Sequence, residues 1–294
     1  MESLRYVGAG QVNHKGSNVM PNAKDATQTK KRILLLGDTG AGKTTQFLTL
    51  PGKKYMHIFD SNALLSLRGH DLDYDEYLPT PVRAGVMSLS KEKGGDLKST
   101  KSSSDVYRDF ESTFDQRLKE GFFEQYEWIG FDSITTLLDL MMDRVLTING
   151  RLGQWPLQDD WGPQMMAFTN LARTAVGLGK NIFMTGHMQN RNNQKTGMTT
   201  RQPMMTGQLA QKIPLLFSDI LGCDSDIDLN GKTTYQLHTA RNREFTVIRT
   251  SIKGLEAVED VTIDWTQAVV GQGLGGILAW EAKQNLAEKP NTAP

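Results

Sequence analysis

At 294 residues the chain suffices for one large domain with appendages, or at most two small ones, and is long enough to bury a sizeable core. Lys plus Arg and Asp plus Glu each number 33, so no net field draws the protein toward nucleic acid or membrane, and any polyanion site must be a local patch. The single cysteine, Cys223, excludes an internal disulfide and, with five scattered His, offers no structural zinc spacing, which fits a reducing cytoplasm.

No apolar run approaches the roughly 20 residues needed to span a bilayer, and the first residues lack the apolar centre of a signal peptide, so a cytoplasmic protein without membrane contact is expected. Residues 1–31 are polar and without periodicity and read as a flexible arm that orders on a partner. From Arg32 short apolar runs alternate with turns and helical stretches, the pattern of an α/β domain with a parallel sheet. Buried strands are expected at Arg32 to Leu36, Tyr55 to Phe59, around Tyr77 and Leu78, at Trp128 to Phe131 and at Asn181 to Thr185. The Lys-, Ser- and Gly-rich stretch from Ser88 to Asp105 reads as a surface loop. Helices are expected from Val106 to Glu120 and from Trp161 to Leu178, the second presenting Met165, Phe168, Leu171, Ala172 and Ala175 at helical spacing. Thr233 to Thr239 and Glu244 to Ile252 read as an antiparallel hairpin turned at "ARNRE", and "NLAEKPNTAP" as a disordered tail. The expected organisation is an arm over 1–31, one domain over 32–265 and an extension over 266–294, with no internal repeat.

Gly37, Asp38, Thr39, Gly40, Ala41, Gly42, Lys43 and Thr44 satisfy G-x-x-x-x-G-K-[ST] in full, between an apolar strand and a helical segment, and Thr45 extends the grip. The glycines let backbone N–H groups close on a phosphate, Lys43 brings a point charge to the terminal phosphates, and the Thr44 hydroxyl suits a place on Mg²⁺. The cofactors so expected are ATP and Mg²⁺. In "EWIGFDSITTLLDLM" an apolar run ends at Asp132, placed to hold the metal through water. In "NIFMTGHMQ" a third run ends in polar His187, a candidate sensor of the γ-phosphate.

With "GDTGAGKTT", "FDSITTL", "FMTGH" and "HTARNRE" in this order, the chain resembles the RecA-like P-loop ATPases over roughly Arg32 to Ile252. It most resembles their short phage recombination members, which act with single-strand annealing and single-strand binding proteins. The resemblance implies a RecA-like P-loop NTPase fold: a central, mostly parallel sheet flanked by helices, nucleotide at the carboxyl ends of the strands, and a C-terminal antiparallel hairpin. It implies a phage-encoded protein in the bacterial host cytoplasm that hydrolyses ATP, forms a homo-oligomer and engages single-stranded DNA in recombination or replication. The family's DNA loops fall near Asn149 to Gly162 and Met188 to Gly207. The second carries Arg191, Lys195 and Arg201 with no carboxylate, suited to following a phosphate backbone, and on the first Trp155 suits base stacking worth about 1 to 3 kcal/mol. Arg241 and Arg243 match the cation pair that reaches a neighbouring subunit's nucleotide.

One position departs. Aligning Asp60 with the Asp that precedes the family's catalytic glutamate places Asn62 at the glutamate, and an amide orients water without taking its proton. Three readings follow: Asp60 is the base; a carboxylate among Asp73, Asp75 and Glu76 swings in; or hydrolysis is slow and nucleotide mainly switches conformation. The rival function is accordingly a nucleotide-binding module with little turnover that changes shape for a protein partner. A small-molecule kinase is a second rival, but no cluster of lid arginines is found.

Overall fold

The computed structural model describes residues 30–79, 102–192, 194, 197–205, 208–227 and 229–287. The arm up to residue 29, the expected loop from Ser88 to Lys101, Lys195 and the tail beyond Ala287 lie outside these residues.

Ten strands and seven α-helices follow one another: β1 (Arg32–Gly37), α1 (Lys43–Leu48), β2 (Lys54–Ile58), α2 (Ala63–Leu67), β3 (Asp73–Glu76), α3 (Ser103–Glu120), β4 (Trp128–Asp132), α4 (Ile134–Ile148), α5 (Trp161–Gly177), β5 (Asn181–Gly186), β6 (Met188–Asn192), β7 (Thr199–Pro203), α6 (Leu209–Lys212), β8 (Asp219–Ile227), β9 (Thr233–His238), β10 (Val258–Asp260) and α7 (Gly273–Ala287), as counted among the described residues. Eight strands form one sheet in the order β10-β9-β8-β1-β5-β4-β2-β3, and β6 pairs with β7 in a separate ribbon. From β8 to β3 the neighbours run parallel; β9 and β10 close the other edge antiparallel. This is the expected α/β architecture.

The central strands read as unbroken apolar runs because both faces are covered. In β1, Leu34 and Leu36 join the core with Phe110 of α3, Leu137 of α4 and Phe168 of α5, while Ile33 and Leu35 join Phe47 of α1 and Leu274 of α7. Helix starts are fixed by side chains: Ser102 and Asp105 form a reciprocal capping box on α3, and Ser133 caps α4. Helix α1 has six residues, as Pro51 requires, and the Lys54 ammonium donates to the carbonyls of Leu50 (2.9 Å) and Gly52 (3.2 Å) just beyond its end.

The third strand lies at Asp73–Glu76 and not at Tyr77 and Leu78. It is an edge strand, so it carries polar residues where an apolar run was sought. The C-terminal hairpin is made by β8 and β9, turning near Asn230 and Gly231 (φ +78°), whereas Glu244 to Ile252 contributes isolated bridges to Arg201 and Ile220. An Asn-Gly pair is a strong hairpin signal; the acidic end of β8 masks its strand character.

Gln46 of α1 donates to the Val261 carbonyl (2.9 Å) and accepts from the Leu274 amide (2.9 Å), and Thr49 accepts from the Gly271 and Gly275 amides (both 2.9 Å). The 266–287 segment is therefore seated on the helix that follows the phosphate loop, and Asn285 to Ala287 are helical where a tail was expected. At Gly275 a Cβ would lie 1.9 Å from the Thr49 carbonyl oxygen. Gly275→Ala is expected to destabilise the fold by about 1 to 3 kcal/mol through this overlap, seen as a lowered melting temperature; an unchanged or raised value would show that α7 is not seated so closely.

Candidate nucleotide site

The carboxyl ends of β1, β2, β4 and β5 converge on a cleft of about 430 Å³, within the range of small-molecule sites. Its floor is the loop between β1 and α1. Gly42 holds φ +80°, and a Cβ there would lie 2.8 Å from the Tyr235 ring, so glycine is required twice over. The buried Lys43 ammonium donates to the loop carbonyls of Gly37 (3.0 Å) and Asp38 (2.7 Å). Burial lowers its pKa, opposed by the charges of Asp132, Cys223, Asp60 and Asp38.

Behind Lys43 the Thr44 hydroxyl donates to Asp132 Oδ2 at 2.6 Å, and Thr185 of β5 donates to the other carboxylate oxygen. Burial raises the Asp132 pKa, the Thr185 and Thr44 hydrogen bonds pull it back, Asp60 adds to the rise and Lys43 opposes it. A hydroxyl beside one carboxylate is a hard-oxygen pair that suits Mg²⁺, which ordinarily takes one or two carboxylates with waters and phosphate oxygens. Among the described residues no cluster of three or more His, Cys, Asp and Glu could cage an ion by itself. The residues thus fit a metal that arrives with a phosphate ligand.

At the end of β2, Asp60 accepts a hydrogen bond from Thr136 at the start of α4, and His187 Nε2 lies 3.5 Å from its second oxygen. Burial alone would raise the Asp60 pKa, but hydrogen bonds from His187, Thr136 and Ser133 outweigh it and hold the pKa below the ordinary value. Asp60 is thus an anion at neutral pH but a weak proton acceptor. The His187 amide is fixed by the Thr135 hydroxyl (2.9 Å). Asn62 and Ser61 line the cleft beside Asp60; Glu76, exposed on the edge strand, is not among the lining residues.

The swing-in carboxylates are placed elsewhere. Asp75 accepts from Tyr55 (2.8 Å) and Tyr77 (3.1 Å) and pairs with Arg117, while Asp73 accepts from Tyr126 (2.9 Å) and pairs with Lys53 (3.3 Å). Both are tied to the α3 side of the sheet, so neither is free to reach the cleft. Opposite Asp60 the cleft is walled by Tyr235 of β9 with Ile263 and Trp265, an apolar, aromatic side suited to a nucleobase. Sequence reasoning missed these three, together with Thr185, Thr135 and Thr136. Only the paired threonines after "FDSI" offered a local signal, as hydroxyls at the start of a helix that follows a strand-end Asp.

A family profile described as an AAA domain matches residues 29–245, most of the chain and all of the phosphate-loop apparatus. The chain belongs to this AAA-domain family. It is a nucleotide-binding domain of the P-loop NTPase type. No curated protein matches it. Among solved structures, the flagellar accessory protein FlaH from Methanocaldococcus jannaschii is similar at 13% identity over 80% of this chain and 85% of that one, with a TM-score of 0.36. A KaiC-like protein from the hyperthermophilic archaeon Pyrococcus horikoshii OT3 is similar at 13% identity over 80% and 86%, with a TM-score of 0.38.

The remaining expected site residues lie outside the cleft of this AAA domain. Trp155 is 91% exposed, on a loop braced by buried Asp160, which pairs with Arg151 and accepts from Asn149 (2.9 Å) and the Leu157 amide (2.7 Å). Arg191 is exposed on β6 and donates to Gln202 across the ribbon (3.3 Å). Arg201, expected on a solvated loop, is 5% exposed and paired with Asp38, Asp224 and Glu244. Strand pairing in β7 turns it inward, so it is not free to meet a phosphate backbone. Arg241 and Arg243 are exposed on either side of Asn242, whose side chain accepts from the Glu244 (2.9 Å) and Phe245 (2.7 Å) amides and so shapes the turn that presents them.

Proposed function

We propose that the protein is an ATPase that binds ATP with Mg²⁺ in this cleft, assembles with copies of itself and acts on single-stranded DNA in phage recombination or replication. The observation that carries the nucleotide reading is the Thr44–Asp132 hydrogen bond of 2.6 Å beside the buried Lys43. It brings the metal-side hydroxyl, the strand-end carboxylate and the phosphate-side cation to one point. The metal, when bound, neutralises charge on the phosphates and orients them. Thr44 and Asp132 would hold it, Lys43 and the loop amides from Asp38 to Thr45 would cradle phosphate, and Tyr235 and Trp265 would flank the base. His187 through Asp60 would report the γ-phosphate end, and Asn62 would orient water.

Arg191 and Trp155 remain the exposed candidates for DNA, and a single-strand annealing or binding protein is the proposed partner. The deciding assay is ATP turnover with and without single-stranded DNA. Stimulation by DNA supports the whole reading; turnover indifferent to DNA would leave the ATPase and remove the DNA role.

If Arg241 and Arg243 reach a neighbour's nucleotide, specific activity should rise with protein concentration in the wild type. In Arg241→Ala and Arg243→Ala it should stay low and flat. Concentration-independent wild-type activity would remove the role in trans.

A second reading has its own observation: Asp60 is held below the ordinary carboxylate pKa and Asn62 lines the cleft with it, so neither of the two side chains at the expected base position is a strong base. On that reading nucleotide chiefly switches conformation for a protein partner, and binding without phosphate release under any DNA condition would favour it.

A further inference from the structure

Asp38 is an awkward residue for a phosphate site. It is the second residue of the loop that would cradle a polyanion, it carries a carboxylate, and its own carbonyl is one of the two that hold Lys43. A like charge brought against phosphate costs several kcal/mol if nothing offsets it.

What offsets it comes from far along the chain. Arg201 of β7 places Nη2 2.6 Å from Asp38 Oδ2. The guanidinium is held from behind: Nη1 lies 3.2 Å from Asp224 and 3.4 Å from Glu244, its carbon stands 4.7 Å over the Phe245 ring, and its backbone amide donates to the Glu244 carbonyl (2.9 Å). Asp38 itself is 63% exposed, so its carboxylate has room to turn. A guanidinium held on Nη1 by two carboxylates, with Nη2 in ion-pair contact with one exposed carboxylate, is placed to fix that carboxylate's position. The same ribbon ends at the cleft in a second place, because the Met204 amide after β7 donates to the carbonyl of His187 (2.8 Å) at the foot of β6.

We infer that Arg201 is a positioning residue of the nucleotide site: it holds and neutralises the Asp38 carboxylate so that the phosphate loop accepts a nucleoside triphosphate, and in doing so ties the β6–β7 ribbon to that loop. The inference rests on the proposed nucleotide site. Without Arg201 the Asp38 charge is free to face the phosphates, and the penalty grows with the charge of the ligand. Asp224 of β8 and Glu244 both meet Nη1, and Asp38 meets Nη2.

The test is a double-mutant cycle on the full chain, with Mg-ATP and Mg-ADP binding measured by calorimetry and melting temperature recorded for each variant. Arg201→Gln should weaken ATP binding at least about tenfold, and ADP less. Asp38→Asn sets the reference level for a loop without its carboxylate, and adding Arg201→Gln to it should weaken ATP binding by less than about threefold, against the tenfold loss when Asp38 is present. A role confined to gluing β7 to β8 predicts an equal loss with and without the Asp38 carboxylate, and that result overturns the inference. So does an Arg201→Gln variant with wild-type affinity. Should Arg201→Gln not fold, Arg201→Lys, which lacks the planar fork, is expected to weaken ATP binding less when Asp38→Asn is also present; a folded Lys variant that weakens ATP binding equally with and without Asp38→Asn overturns the inference. Wild-type protein that binds no nucleotide would instead overturn the proposed site and the inference with it.

Discussion

Lys43→Ala is expected to lower ATP turnover by about 10² to 10³-fold, the scale on which a preorganised charge or donor at a transferring group acts. The reason lies in how the side chain is held. It is 7% exposed, and both its acceptors are carbonyls of the loop itself, from Gly37 and Asp38. The ammonium therefore already sits where phosphate oxygens would take over from those carbonyls, and little reorganisation is needed when they arrive. Alanine removes the one Lys or Arg that lines the cleft among the described residues, and with it the charge that opposes the rise of the Asp132 pKa. The fold should survive, because the apolar packing of α1 is made by Phe47 and Leu48, which the substitution leaves in place. Turnover and melting temperature measured on the same preparation separate the two effects. A folded Lys43→Ala protein with wild-type turnover would mean that the activity comes from elsewhere.

Replacing His57 with Phe should remove most of the protein's loss of stability between neutral pH and pH 4.5. His57 is fully buried in β2, stacked on Phe131 (ring centroids 4.8 Å apart) and edge-on to Phe110 (5.3 Å). Among the described residues neither ring nitrogen has a hydrogen-bond partner. Burial therefore pushes its pKa from 6.5 down to about 3. Between those values the unfolded chain takes up a proton that the folded chain refuses, so stability is full above pH 6.5 and falls as pH falls. At about 1.4 kcal/mol per pH unit the loss is roughly 3 kcal/mol by pH 4.5 and on the order of 5 kcal/mol in full. Asp60 and Asp75, both held low, release their stabilisation only at more acid pH, while His238, also held below 6.5 by burial, adds a loss in the same window as His57. Phe preserves the ring contacts and removes two unsatisfied nitrogens, so it should also gain stability at pH 7. Urea unfolding at pH 7 and 4.5 on both proteins is the check, and an equal drop in wild type and variant would assign the acid sensitivity to other groups.

Both residues illustrate what a chain reveals by itself. The phosphate loop is contiguous, and its glycines, Lys43 and Thr44 are spaced by local backbone geometry, so their arrangement is legible without any distant contact. Asp132 and His187 are legible at one remove, because a buried parallel strand must end at the sheet's carboxyl edge and a polar residue there faces the site. Contacts between distant segments are another matter. Tyr235 and Trp265 reach the cleft only because β9 pairs with β8, where the acidic end of β8 masks the Asn-Gly turn signal, and because the 261–275 segment is stitched to α1, which leaves no local pattern. Arg201 looks like a loop cation until β7 pairs with β6 and turns it toward Asp38. His57 is hidden for a different reason: one polar residue in an apolar strand does not show which face it occupies or whether anything meets it. The edge strand at Asp73–Glu76 is illegible for the complementary reason, since its exposure permits a polar sequence.

The central claim is that this cleft holds a nucleoside triphosphate with its metal, and titrating the full chain with ATP by calorimetry, with Mg²⁺ and then with EDTA, tests it most directly. The predicted result is saturable binding of one ATP per chain that weakens when the metal is removed and disappears in Lys43→Ala. Wild-type protein that shows no heat of binding up to about 1 mM ATP in the presence of Mg²⁺ would contradict it.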